Sequence, residues 1–301
     1  MANEAQAGGL PAGDQRLRRI VQIVSDLAPR PLDQLRVLDL ACYEGQFAIE
    51  FALQGAEALG IEGRETNVAA AREHAAKLGL GEDRLRLVRG DVRDLNREEH
   101  GAFDAVLCLG LLYHIDFPDA IRFLERIAEV CDGVAIFDTH VNLGVSRSYR
   151  DGSHVYRGRP YIEHSARASA GERERSRWAS LDNTLSVWFT RASLMNALMD
   201  AGFTSVYECG VPPETDQAID RRTFVAVKGA GRVSLRSDAP ASAAAGEDWG
   251  RVPEHAPRGL LLRNHAPGTN LLKRLMLDLD TLKARRGSRE YGPRSFGRRR
   301  S

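Results

Sequence analysis

Val37-Leu38-Asp39-Leu40-Ala41-Cys42-Tyr43-Glu44-Gly45-Gln46-Phe47 reads as a buried strand that ends in an acidic residue, turns tightly and launches a helix. Such a unit sets backbone N–H groups and a carboxylate at the carboxyl end of a parallel strand, where α/β proteins bind nucleotide-like ligands. Many strand–turn–helix units look alike, so the reading depends on the residues spaced at fixed intervals beyond the turn.

Outward from that stretch the chain alternates. Apolar runs at Arg36–Leu40, Ala58–Ile61, Leu85–Val88, Phe103–Leu109 and Val134–Phe137 are each too short for a helix. Helix-compatible segments separate them: Gly45–Gln54, Glu65–Leu78 and Pro118–Val130. Strands with this continuous apolar character are buried on both faces. A helix at Arg16–Ala28 precedes them, with Asp14 as its N-cap and Pro29 and Pro31 beyond its end. A further helix, Ala192–Ala201, starts at the cap Thr190 and closes at Gly202. Phe203–Glu208 and Thr223–Val227 come next as a terminal antiparallel pair. The expected fold is α/β, a Rossmann-like, seven-stranded, mostly parallel sheet with helices on both faces.

The pattern breaks over residues 141–189, which are polar, rich in Arg, Ser, His and Tyr, and without long periodic segments. A stretch of this length is too long for an ordinary connection and reads as a lid inserted into a domain spanning 36–228, after an N-terminal helix and lead-in at 1–35. Residues 229–257 are a low-complexity linker. In 258–301, Leu271, Leu272, Leu275, Met276, Leu279 and Leu282 form a helical stripe ahead of a basic, partly disordered tail.

Composition limits the classes. The 301 residues are 43% hydrophobic, enough for a full core. No run approaches the roughly 18 apolar residues of a membrane span, and Met1–Gly13 lacks a signal peptide's apolar stretch. Cys42, Cys108, Cys131 and Cys209 have neither metal-site nor disulfide-framework spacing and are expected to be reduced. The expectation is a cytoplasmic protein with no membrane contact and an oligomeric state the sequence leaves open. The overall charge of +1 hides an asymmetry: Arg251–Ser301 holds 13 Lys and Arg against 4 Asp and Glu, a net of +9, leaving 29 against 37, a net of −8, in the rest.

Glu62, at the tip of the second strand and 23 positions after Asp39, is placed to accept hydrogen bonds from ribose hydroxyls. Asp91 comes after the third strand, where a short carboxylate can accept from an exocyclic amine while Val92 packs on a base. Each acid alone also reads as a helix cap; three at successive strand tips do not. A pyrophosphate-binding turn needs Gly-x-Gly-x-x-Gly. This turn offers Ala41, Tyr43 and Gly45, and Glu44 would repel phosphate, so it favours an uncharged or cationic ligand.

Asp39-Leu40-Ala41-Cys42-Tyr43-Glu44-Gly45, Gly60-Ile61-Glu62, Gly90-Asp91-Val92 and Phe103-Asp104-Ala105-Val106-Leu107 resemble the ordered motifs of class I S-adenosylmethionine-dependent methyltransferases. Leu109-Gly110-Leu111-Leu112-Tyr113-His114 and Phe137-Asp138-Thr139-His140 resemble the branch with tRNA wobble-uridine carboxymethyl/methyltransferase-like enzymes. The likeness runs from about Arg36 to Lys228. It implies S-adenosylmethionine as cofactor, with Asp39 near the methionine moiety, Glu62 on the ribose and Asp91 on the adenine. Ala41, Tyr43, Glu44, Gly45, Gly63, Val92 and Leu109 complete the implied cofactor site. Ala41 and Tyr43 depart from the family's commoner glycines.

Methyl transfer needs in-line positioning and, for some acceptors, a base. His114, after the fourth strand, is the base candidate, since imidazole titrates near neutrality; a pocket-wall or capping role is the alternative. Tyr113 and His140 are the other catalytic candidates. Asp138, His140, Tyr156, Trp178, Asn183 and Trp188 are expected on the substrate side, the last four because aromatic and hydrogen-bonding residues interleave in the insertion. The alternative for that region is a solvated loop with a few aromatic anchors. Asp138, His140, His154, Glu163 and His164 have metal-ligand side chains but no ligand spacing, and no metal is expected.

The basic tail, with Arg298-Arg299-Arg300 at its end, is suited to phosphate contacts, yet the body is net negative. Nucleic acid is therefore a partner the tail allows but the whole does not favour. The expected function is methyl transfer to a small-molecule acceptor, such as a secondary metabolite or sugar. The alternatives are modification of a tRNA base, or cofactor binding without catalysis as a sensor or scaffold.

Overall fold

The computed structural model describes residues 15–28, 30–210 and 218–229. In chain order the elements are α1 (Gln15–Leu27), β1 (Arg36–Leu40), α2 (Gln46–Leu53), β2 (Glu57–Glu62), α3 (Glu65–Lys77), β3 (Leu85–Arg89), α4 (Arg97–His100), β4 (Phe103–Leu109), α5 (Asp119–Val130) and β5 (Cys131–His140). Next come β6 (Arg147–Asp151), β7 (His154–Ile162), α6 (Ala170–Arg175), β8 (Leu185–Phe189), α7 (Arg191–Asp200), β9 (Ser205–Cys209) and β10 (Arg221–Val227). The expected cap Asp14, Pro29, the helical stripe and the basic tail lie outside the described residues, as does the linker beyond Gly229.

The main sheet has seven strands in the order β3-β2-β1-β4-β5-β10-β9. β1 to β5 pair in parallel, and β10 runs antiparallel between β5 and β9. The fold expected from the apolar runs is therefore borne out. The order reverses between β1 and β4, which opens a crevice at the carboxyl ends of these strands.

Alternation along the strands assigns the two faces. Leu38, Leu40, Leu59, Ile61, Val106 and Cys108 pack with Phe123, Leu124 and Ile127 of α5 and Leu194 and Leu198 of α7. Val37, Ala105, Leu107, Val134 and Ile136 face the other way, onto Leu17, Ile20 and Val24 of α1 and Phe47 and Phe51 of α2. Ala58, Leu85 and Leu87 meet Ala48 and Ile49 of α2 and Ala71 and Ala75 of α3. Phe51, Leu124 and Ile20 are wholly buried, and each such side chain contributes about 2 kcal/mol relative to an exposed one.

The insertion is more ordered than its sequence indicates. β6, β7 and β8 form their own antiparallel sheet. It docks through the Val187 N–H on the Ile115 carbonyl (3.1 Å) and the Asn142 N–H on the Phe189 carbonyl (2.7 Å). Between β7 and β8, residues 163–184 with α6 form a strap that crosses the crevice.

Candidate functional site

The turn after β1 has an unusual backbone. Ala41 (φ 54°), Tyr43 (φ 55°) and Gly45 (φ 82°) all lie in the left-handed region, where a residue with a Cβ costs roughly 1 kcal/mol or more. The glycines that the family resemblance leads one to expect at 41 and 43 would sit there unstrained. The turn also runs tightly over β2: a Cβ on Gly60 would come within 2.8 Å of both Cys42 Sγ and Leu87 Cδ2. The Cys42 N–H donates to the Ile61 carbonyl (3.1 Å) and the Gly45 N–H to the Cys42 carbonyl (2.8 Å).

Two carboxylates support this turn. Asp39 is buried and accepts from the Ala48 N–H in the first turn of α2 (3.2 Å). Burial pushes its pKa up to about 7, against the pull of the Ala48 N–H and the Arg16 charge. Glu62 accepts from the Tyr43 N–H (3.0 Å), the Arg64 N–H (2.9 Å) and Asn67 Nδ2 (3.3 Å). A carboxylate has about four acceptor positions, so one remains on Oε2.

Asp39, Ala41, Tyr43, Glu62, Gly63, Asp91, Val92 and Leu109 line one cavity of about 770 Å³, within the size range of small-ligand sites. The strap roofs it. Arg64 donates from Nε to the Glu174 carbonyl (3.1 Å) and from Nη2 to the carbonyls of Ser176 and Ala179 (both 3.0 Å). Trp178 stacks on Tyr43, and Arg177 lies over the same ring while pairing with Glu44 (3.0 Å). Arg93 bridges Asp91 (2.6 Å) and Asp182 (2.5 Å).

Tyr113, His114 and Asn183 also line the cavity. His114 Nδ1 lies 2.9 Å from Glu163 Oε2, and Asn183 Nδ2 donates to the His114 carbonyl (2.9 Å). Burial raises the pKa of the Tyr113 hydroxyl, with the Asp138 and Glu163 charges adding to it and Arg221 and Arg16 opposing. Arg16 of α1 and Arg221 of β10 line it too. Both pair with the fully buried Asp138, at 2.6 and 2.5 Å.

Sequence comparison matches the stretch that builds this cavity. Residues 37–132 match the methyltransferase domain family. The ubiquinone biosynthesis O-methyltransferase of Methylocella silvestris is 39% identical over 88 residues, 29% of this chain and 33% of that protein. Its Chromobacterium violaceum counterpart is 37% identical over 86 residues, 29% and 36% of the two chains. The chain thus spans about a third of the length of these relatives. Among solved structures, the N-terminal domain of EvdMO1, crystallised with SAH and D-fucose, superposes with a TM-score of 0.54 at 26% identity, over 71% of this chain and 80% of that one.

Around this matched stretch several expected site residues stand elsewhere. Glu44 and Gly45 do not line the cavity: Glu44 turns to Arg177, and Gly45 caps α2. Asp138 lies behind the wall, wholly buried, where it holds two lining arginines instead of a substrate. Tyr156 is a core residue, 2% exposed, with its hydroxyl on Asp200 (2.9 Å). His140 and Trp188 stack on each other (4.7 Å) behind Tyr113, and His140 Nδ1 is held by Asp220 (2.9 Å). Trp178 and Asn183 do line the cavity.

Arg16, Arg64, Asn67, Arg177 and Arg221 were not legible as site residues, since no spacing links them to the strand tips. Glu163 carried a signal only as a metal-ligand type. Among the described residues no three His, Cys, Asp or Glu side chains are grouped to hold a metal ion, and no helix is long and apolar enough to cross a membrane.

Proposed function

We propose that the protein transfers a methyl group from S-adenosylmethionine to a hydroxyl oxygen of a small acceptor, such as a sugar or secondary metabolite. One observation carries the reading: acids at the tips of three successive parallel strands and an imidazole after the fourth border a single cavity. The relatives named O-methyltransferases, and the sugar present with the EvdMO1 domain, support oxygen as the acceptor atom.

The residues suit the cofactor. Arg16 Nη2 is buried with no hydrogen-bond partner among the described residues, and the Arg16 charge acts on Asp39. Together they provide a cation for an amino acid's carboxylate and a carboxylate for its ammonium. Glu62 retains one acceptor position for a ribose hydroxyl, while Val92 and Leu109 provide apolar wall. The adenine role expected of Asp91 competes with Arg93, which donates to both its oxygens. S-adenosylmethionine supplies an electrophilic methyl on sulfonium; the chain positions the acceptor, roofs the site with the strap, and offers His114 as proton acceptor.

Calorimetry with S-adenosylhomocysteine tests the premise. Wild type should bind and Glu62→Ala should bind at least about tenfold more weakly; absence of wild-type binding sinks the proposal. Incubation with methyl-labelled cofactor then separates acceptors. Label entering a metabolite extract supports the small-molecule reading, and label entering total tRNA supports the tRNA-base alternative, which none of the relatives above suggests by name. With binding established, label in neither pool leaves a sensor or scaffold.

A further inference from the structure

His114 and Glu163 are 49 residues apart in sequence, on the turn after β4 and at the end of β7. The Glu163 carboxylate is buried and accepts from three donors: His114 Nδ1 (2.9 Å), Ser186 Oγ (2.6 Å) and the Ser180 N–H (3.0 Å). Burial alone would raise its pKa, but these donors hold it below the ordinary carboxylate value. An ionised carboxylate only accepts, so the proton of neutral His114 sits on Nδ1 and Nε2 keeps its lone pair. Asn183 fixes the turn by donating to the His114 carbonyl (2.9 Å).

The other titratable and charged groups nearby are Tyr113, whose ring centroid is 4.2 Å from the imidazole, His140 with Asp220 behind Tyr113, and the Arg16–Asp138–Arg221 group. Asp220 and Asp138 already hold partners there, and Glu163 is the carboxylate that contacts the His114 ring.

We propose that Glu163 is the positioning residue that makes His114 a general base for a neutral hydroxyl acceptor, an inference resting on the methyl-transfer reading above. The acceptor oxygen forms its bond to the methyl carbon as the carbon–sulfur bond breaks, its electron pair going to sulfur, and the hydroxyl proton passes to His114 Nε2. Glu163 stabilises the resulting imidazolium without itself taking the proton. A hydroxyl needs this help because its pKa lies far above neutrality, whereas a free amine already carries a usable lone pair.

A purely structural Glu163 would tie the insertion to the turn without governing the ring's proton. Nitrogen-15 NMR of the histidine rings separates the two, with His114 assigned by the signal lost in His114→Gln. Wild type should show the Nδ1–H tautomer. In Glu163→Gln the Nδ1–H tautomer should lose its preference, because an amide can donate to Nδ1 as well as accept from it. An Nε2–H tautomer in wild type, or an unchanged tautomer preference in Glu163→Gln, overturns the proposal without needing an acceptor.

Label transfer into the metabolite extract adds a second readout. Glu163→Gln should slow it by roughly 100-fold or more with S-adenosylhomocysteine affinity unchanged, and the double variant with His114→Gln should be no slower than His114→Gln alone. Multiplying losses would overturn the coupling. A wild type that fails to bind S-adenosylhomocysteine refutes the methyl-transfer reading instead, and leaves the tautomer result standing.

Discussion

Tyr43 stacks on Trp178 with ring centroids 5.5 Å apart and planes 26° from parallel, joining the turn after β1 to the strap. The contact explains why a large residue is kept at a left-handed position: its N–H is held by Glu62, and its ring carries Trp178 and the Arg177 guanidinium. Trp178 is 68% exposed, so the stack lies at the lower end of the 0.5–1.5 kcal/mol range for aromatic pairs. Trp178→Ala should weaken S-adenosylhomocysteine binding by about threefold, mainly through faster dissociation, with little change in melting temperature. An unchanged dissociation rate in stopped-flow measurements would remove the strap from cofactor retention.

Arg64 holds the strap by a different means. Its side chain reaches four strap carbonyls, while its own N–H is bound by Glu62 at the cavity. Hydrogen bonds from a charged donor contribute about 1.5 kcal/mol or more each, so Arg64→Ala should release the strap locally and leave the main sheet intact. Trypsin cleavage after Arg173, Arg175 and Arg177 should then rise at least about tenfold, mapped by mass spectrometry. Equal cleavage rates would mean that the strap stays closed without Arg64.

Legibility in the sequence tracks burial. Phe103–Leu109 is apolar on both faces because helices cover both sides of β4, and its bounds were legible to the residue. β6 and β7 were not: Arg147–Asp151 is mostly exposed and His154–Ile162 mostly half-buried, so neither shows a period-two apolar face. Site residues divide in a similar way. Asp39 and Glu62 sit at strand tips, positions the local pattern fixes, whereas Glu163 and Arg221 reach the cavity region only through tertiary packing. Asp138 ends an apolar run much as Asp39 does, yet its partners from α1 and β10 turn it into a wall support.

Asp39 makes stability and binding depend on pH. Its folded-state pKa is raised from 3.8 to about 7, so between about pH 4 and 7 the folded chain binds a proton that the unfolded chain has lost. Its contribution to stability therefore falls as pH rises through that window. Asp39→Asn should remove this dependence, so the variant's melting temperature gains on wild type from pH 4 to 7. An ammonium-bearing cofactor beside Asp39 favours the carboxylate. Binding of S-adenosylmethionine at pH 7 should then release about half a proton, measured by calorimetry in buffers of different ionisation enthalpy. No buffer dependence, or the same dependence in Asp39→Asn, would dissociate Asp39 from the cofactor's charge.

Asp138 tests how the wall is built. The carboxylate is fully buried and its two oxygens are divided between Arg16 and Arg221. Asp138→Asn would leave two guanidinium groups facing a neutral amide, and removing one member of a buried ionic group costs about 3–5 kcal/mol. Denaturant unfolding should show a loss of at least about 3 kcal/mol, far above what a solvent-screened exposed pair such as Lys77–Glu73 contributes. Replacing Arg221 by Met in the same chain should recover part of that loss, because one unpaired charge then remains instead of two. If Asp138→Asn unfolds at the wild-type midpoint, the arginines are held by other contacts and Asp138 is free to be read as a substrate group again.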